Sequence, residues 1–223
     1  MSAFDEQAAA AYESWYQTAE GARADAQEKA ALRQLLDGFR EAETVLEVGC
    51  GTAHFTRWLG DIGWTAVGLD LSAPMLREAQ ALNGVPLVWG DAFRLPFADD
   101  AFGVATLITT LEFLDRPRAS LEEAARVARD GLLLGVLNRW SPLALQRRLS
   151  GLFRPTIYDD ARFYSVGALK QLLRAVGDDG ARMAWRTTLY PSWCEGLLPR
   201  SGAHLPWGGF IAIALHQTHG TGS

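Results

Sequence analysis

The chain has 223 residues, 48% of them hydrophobic, which is enough apolar material for one sizeable core and a single domain over residues 1–223. Its formal charge of -5 is spread without a long acidic or basic block, so no general nucleic-acid footprint is visible and no nucleic-acid partner is expected. Only Cys50 and Cys194 are present, which excludes a disulfide framework; with an acidic amino terminus and no apolar run near the roughly 20 residues of a bilayer span, the composition predicts a cytoplasmic chain without leader or membrane helix.

In chain order, residues 5–38 read as one or two helices. Residues 8–11 are four alanines, strong helix formers, and Tyr12, Trp15 and Tyr16 share one face at i, i+3, i+4 spacing. Residues 30–39 form a helix with Leu32, Leu35 and Leu36 as its buried stripe. Residues 44–48 are a short strand-like run ending at Gly49 and Gly51, followed by a helix over 55–59. A second strand, 64–70, closes on Asp70. Ser72 is a plausible N-cap for a helix over 74–82, with Pro74 in its first turn and Asn83-Gly84 as its stop. Residues 86–89 read as a third strand and 104–108 as a fourth, whose unbroken apolar run suits a parallel strand buried on both faces. A helix over 119–128, a fifth strand over 131–137, an amphipathic helix over 166–176 closed by Gly177, and strands over 182–189 and 210–216 complete the series.

The strand, glycine turn, helix arrangement around Gly49 and Gly51 is that of a nucleotide site, because two residues without Cβ let a bulky ligand approach the main chain. Asp70 follows at about the 20-residue offset where an acid meets ribose hydroxyls. Details of the turn disfavour the commonest nucleotides. A dinucleotide fingerprint needs a third glycine where His54 stands, and a phosphate-cradling loop needs a lysine that this stretch lacks. Glu47, two residues before Gly49, repels phosphate but suits a cation such as a sulfonium or an ammonium.

Residues 47–53, Glu-Val-Gly-Cys-Gly-Thr-Ala, match the first motif of the class I S-adenosylmethionine-dependent methyltransferases except that Ala53 replaces its last glycine, slightly reducing the room beside the ligand. Residues 68–76 resemble the second motif and residues 90–97 the third, so the chain resembles this family from about Tyr12 to about His216, in the branch that holds small-molecule and quinone methylating enzymes. The resemblance implies an α/β, Rossmann-like three-layer sandwich: a seven-stranded, mostly parallel sheet with an antiparallel last strand. It implies S-adenosyl-L-methionine as cofactor and S-adenosyl-L-homocysteine as product. By the same resemblance Glu47, Gly49, Cys50 and Gly51 belong to the cofactor site; Asp70 takes the ribose; Leu71 and Met75 sandwich the adenine; Asp91 accepts from the adenine amino group, with the Ala92 amide facing the ring. The backbone near Ile108 and Thr109 faces the methionine moiety, and Tyr12 and Tyr16 of an amino-terminal helical lid over about 5–38 exclude water. Without the resemblance, the aromatic stripe and Met75 read as ordinary core.

Two features depart from the family pattern: Gly103 stands where an Asp is usual, and residues 109–112, Thr-Thr-Leu-Glu, stand where a histidine-containing stretch is frequent. Glu112 is a candidate base or a partner for a cationic acceptor; its bland alternative is a solvated surface acid. Tyr158 and His204 are further candidates for taking a proton. An insertion after the fifth strand, residues 138–164, carries Arg139, Arg147, Arg148, Arg154 and Arg162 among aromatic and aliphatic residues. It reads as a lid with a wet arginine face, as a pocket for an aromatic or anionic small acceptor, or as a peripheral membrane-surface helix. Cys194, Glu195 and His204 lie too irregularly for a metal site. The expected reaction is in-line methyl transfer to a small-molecule O-, N- or C-nucleophile; a non-catalytic module that only binds the nucleoside is the alternative.

Overall fold

The computed structural model describes residues 12–39, 41–82, 84–141, 161–191, 197–199 and 201–218. Strands β1 (Thr44–Val48), β2 (Thr65–Asp70), β3 (Leu87–Trp89), β4 (Phe102–Ile108), β5 (Ala128–Leu137), β6 (Arg182–Thr188) and β7 (Phe210–His216) form one seven-stranded sheet in the order β3-β2-β1-β4-β5-β7-β6. The first five pair in parallel, and β7 runs antiparallel to both β5 and β6. This is the expected sheet, with its last strand inserted between β5 and β6.

Alternation in the central strands explains the two packed layers. Leu46 of β1 and Ala105 and Leu107 of β4 face one core, shared with Leu121, Ala124 and Val127 of helix α4 (Pro117–Val127) and Leu169 and Leu173 of helix α5 (Val166–Arg174). Val45 of β1 and Val104 and Ile108 of β4 face the other core, shared with Leu32, Leu35 and Leu36 of helix α1 (Ala19–Leu36) and Phe55 and Leu59 of helix α2 (His54–Asp61). Every residue of β4 is buried, so the unbroken apolar run marks burial on both faces. Each such large side chain contributes about 1.5–3 kcal/mol by leaving water. Helix α3 (Ala73–Ala81) starts where the sequence places it, with the Ser72 hydroxyl accepting from the Met75 amide at 3.4 Å.

The amino-terminal region differs from its expected boundaries. Residues 12–16 are helical, and α1 then starts at Ala19 because the Thr18 side chain caps it by accepting from the Gly21 amide. The stripe expected for residues 30–39 is therefore the second half of a longer helix. Gly103 also finds a reason: a Cβ there would sit 2.7 Å from the Ala42 Cβ, so the aspartate usual in the family does not fit against this chain's approach to β1. Among the described residues no helix is long and apolar enough to cross a membrane.

Candidate cofactor and acceptor cavity

A cavity of about 280 Å³ opens at the carboxyl ends of β1, β2 and β4, beside the turn after β3, where open α/β sheets bind ligands. The glycine turn forms its floor. The amides of Gly49 and Cys50 both donate to the Leu69 carbonyl, at 2.7 and 3.0 Å, and the Gly49 carbonyl accepts from the Thr110 hydroxyl at 3.0 Å. Gly49 has φ +74, and a Cβ on it would overlap the Thr110 side chain. Gly51 has φ +54, and a Cβ on it would meet nothing within 4 Å. One glycine is thus required by packing and the other leaves open room for a ligand.

Ala53 also takes a left-handed backbone, φ 60, and is fully buried rather than on the cavity wall. The sequence reading that its methyl crowds the ligand is corrected: a glycine suits this position for its backbone freedom, not for room.

Three carboxyl groups meet at the cavity: Glu47 near the end of β1, Asp70 at the end of β2, and Asp91 after β3. Glu47 is 1% exposed; burial, reinforced by the nearby Asp70 charge, pushes its carboxyl up to about 8 despite a hydrogen bond from the Thr56 hydroxyl. Asp70 is raised by burial too, against the opposing effect of the amides of Ser72 and Gly51, which donate to it at 2.7 and 2.8 Å. Burial holds the neighbouring Cys50 thiol far above its usual range, so it stays protonated. Asp91 accepts from the Phe93 amide at 2.9 Å. No lysine or arginine lines the cavity among the described residues. A negative pocket of this kind fits a cation carrying a nucleoside and opposes a phosphate.

Twelve of the expected cofactor residues line the cavity: Tyr12, Glu47, Gly49, Cys50, Gly51, Asp70, Leu71, Met75, Asp91, Ala92, Ile108 and Thr109. Met75 is buried and Leu71 is 59% exposed, its carbonyl accepting from the Trp89 indole at 2.9 Å. Thr109 has φ 50, a costly backbone for a β-branched residue, while its amide donates to the Gly135 carbonyl at 2.7 Å. Tyr16 stands behind the wall rather than on it: its hydroxyl donates to that of Tyr12 at 3.0 Å and its ring stacks on His54. Sequence reasoning missed His54, Phe93, Thr110, Phe113 and Leu114, all on the wall. Their signal was position alone, next to the glycine turn, after Asp91, or after β4.

Glu112 is placed differently from both of its expected readings. It is 1% exposed, not a solvated acid, and it does not line the cavity. It sits in a short 3-10 turn, Leu111–Phe113, and its Oε1 accepts from the Leu137 amide at 2.6 Å. Its carbonyl accepts from the Arg162 amide at 2.9 Å, and the Tyr164 hydroxyl donates to the Leu111 carbonyl at 3.2 Å. Glu112 therefore ties the cavity loop to the end of β5 and to the chain returning at residues 162–164. Of the arginines in the insertion, Arg139 lies 5.3 Å from the Trp140 ring and Arg162 donates to the Asp115 carbonyl at 3.1 Å. Arg147, Arg148, Arg154 and Tyr158 lie outside the described residues, as do Cys194 and Glu195. His204 stacks on Trp185, with centroids 5.2 Å apart, and does not line the cavity.

Comparison with known proteins agrees with this geometry. A family model described as a methyltransferase domain matches residues 46–134. An uncharacterized protein of Mycobacterium tuberculosis is 36% identical over 95% of this chain and 73% of its own length. A demethylmenaquinone methyltransferase of Mycolicibacterium paratuberculosis is 32% identical over 82% of this chain and 78% of its own length. A solved structure from Thermotoga maritima, described as a SAM-dependent methyltransferase and possible histamine N-methyltransferase, superposes with TM-score 0.74 at 26% identity, over 96% of this chain and 97% of its own. The chain belongs to the class I S-adenosylmethionine-dependent methyltransferases and is an enzyme whose cofactor is S-adenosylmethionine.

Proposed function

We propose that this enzyme, acting as a single domain, transfers the methyl group to an apolar, aromatic small molecule that enters beside residues 108–114. The observation that carries the reading is the sorting of the cavity's chemistry: the carboxyl groups of Glu47, Asp70 and Asp91 gather at the strand tips, while Tyr12, Phe93, Ile108, Phe113 and Leu114 supply an apolar wall, and no lysine or arginine lines the cavity among the described residues. That wall favours a neutral ring over a carboxylate or phosphate. The demethylmenaquinone methyltransferases among its relatives support a quinol-like ring as the acceptor.

In this reading Asp70 holds the ribose hydroxyls, Asp91 and the Ala92 amide hold the adenine, and Leu71 and Met75 flank the ring. Glu47 would offset positive charge at the methionine end, and Ile108 and Thr109 would present backbone to it. When bound, the sulfonium would supply an already activated methyl group, sulfur keeping the bonding pair while the acceptor's proton leaves to solvent. What this chain's residues contribute is alignment and exclusion of water, worth about 7–11 kcal/mol when geometry is good. Glu112 serves by shaping the acceptor wall, not by taking a proton.

Calorimetry with S-adenosylhomocysteine, followed by a screen of aromatic acceptors for uptake of a labelled methyl group, tests the proposal. Saturable heat and labelling of neutral hydroxylated rings are expected. Labelling confined to anionic or aliphatic acceptors would overturn it.

A further inference from the structure

Tyr12 is held in place from two sides. Its hydroxyl accepts from the Tyr16 hydroxyl at 3.0 Å and stands 3.5 Å from the Thr109 hydroxyl, which itself donates to the Ile108 carbonyl at 2.8 Å. Tyr16 in turn lies flat on His54, centroids 3.8 Å apart and planes 8° apart. Helix α1 anchors that imidazole: Nε2 is 2.7 Å from Asp25 Oδ1 and 3.0 Å from Lys29 Nζ. The turn between them is fastened by Glu13, whose Oε1 accepts from the Thr52 hydroxyl at 2.5 Å and from Arg57 at 3.2 Å.

A cover that only excluded water would need rings, not hydroxyls. Here a bonded pair of hydroxyls from residues 12 and 16 meets a third from Thr109 at the edge of a wall made by Phe93, Ile108, Phe113 and Leu114. A 3.5 Å separation between Tyr12 and Thr109 is long for O–H···O, where about 2.7–2.8 Å is usual, so a ligand oxygen arriving there can take the better bond. A ligand without that oxygen would forgo this bond, and sites that bond a ligand hydroxyl discriminate against analogues lacking it.

Resting on the methyl-transfer reading above, we infer that the Tyr12 hydroxyl, oriented by Tyr16, receives an oxygen of the acceptor. The substrate is then an aromatic ring with a hydroxyl or carbonyl oxygen near the atom that is methylated. This moves the hydroxyl of Tyr12 from the cofactor to the acceptor while leaving its ring as cover. Tyr16 and His54 are positioning residues that act through it.

The test uses the full chain saturated with S-adenosylhomocysteine and titrated with two probes of equal shape, 2-naphthol and 2-methylnaphthalene. The native protein is expected to bind 2-naphthol at least about tenfold more tightly, the scale of one well-made hydrogen bond. Tyr12→Phe should bring the ratio close to one, Tyr16→Phe, which keeps the stack on His54, should lower it partway, and affinity for S-adenosylhomocysteine should stay within about twofold in both. Equal binding of the two probes to the native protein, or a ratio that survives Tyr12→Phe, overturns the inference alone. A tenfold or greater loss of S-adenosylhomocysteine affinity in Tyr12→Phe with the ratio intact overturns it by returning the hydroxyl to the cofactor, about 1.4 kcal/mol being the equivalent loss. If S-adenosylhomocysteine binds but neither probe does, the aromatic acceptor falls with it; if S-adenosylhomocysteine does not bind, the methyl-transfer reading falls first.

Discussion

At the nucleoside end of the cavity, Glu47, Gly49, Gly51, Asp70 and Asp91 sit on strand tips or on the turns that follow them, and their geometry is set by backbone bonds between neighbouring strands such as those from Gly49 and Cys50 to Leu69. At the end proposed for the acceptor, Tyr12 and Thr109 come together from positions 97 residues apart, and Phe113 and Leu114 lie in and just after a turn pinned by the buried Glu112. The first end is determined by short-range structure; the second exists only when distant segments dock. Damage to the sheet tips should therefore cost cofactor binding, whereas damage to the docking should cost acceptor recognition and leave the cofactor in place.

The largest effect expected is from Gly49→Ala. The added methyl overlaps Thr110 and the backbone stays at φ +74, so S-adenosylhomocysteine binding should be lost and stability should fall by more than about 2 kcal/mol, read by calorimetry and thermal unfolding. Next comes Glu112→Ala, which leaves the Leu137 amide without its 2.6 Å acceptor and should cost about 2–3 kcal/mol of stability. Methyl transfer should drop while S-adenosylhomocysteine affinity holds. Glu112→Gln keeps an acceptor oxygen and should keep the native pH profile; loss of the low-pH limb would restore Glu112 as a proton acceptor.

A smaller effect comes from the protonation of Glu47. Its folded carboxyl is raised from 4.5 to about 8, so in the cofactor-free chain the protonated form is favoured by folding. That contribution to stability is fully present below about pH 4.5 and is lost as pH rises to about 8. A cationic ligand favours the carboxylate and must displace the proton. Affinity for S-adenosylmethionine should thus increase about tenfold between pH 7 and 9 relative to S-adenosylhomocysteine, which has the same amino group but no sulfonium. Identical pH dependence for the two ligands would remove Glu47 from beneath the sulfonium. The smallest effect is Ala53→Gly, which relieves a left-handed alanine and should raise stability by up to about 1 kcal/mol with cofactor affinity unchanged.

The same contrast governs what the sequence discloses. Strand β1 and the glycines after it are legible from residues within a few positions, and Asp70 from its fixed offset to that turn, whereas Asp91 was placed only through the family resemblance. The antiparallel β7 was legible only through family resemblance, since nothing in residues 210–216 states which neighbour they join. Glu112 was misread because its burial comes from the end of β5, 25 residues away, and no local pattern marks that bond. Tyr16 was grouped with Tyr12 by helical spacing, but the stack on His54 puts it one layer behind the wall. Phe113 and Leu114 were passed over because an apolar pair after a strand reads the same whether it faces a core or a ligand.

The position of β7 bears on how the chain is made. It lies between β5 and β6 and pairs with both along its whole length, so β6 has no partner and β5 has only β4 until residues 210–216 leave the ribosome. A nascent chain stalled before that point carries two open strand edges, one of them from the fully apolar end of β5. The sheet therefore cannot close until residues 210–216 have been made, and truncation ahead of β7 should yield aggregates rather than a smaller folded protein.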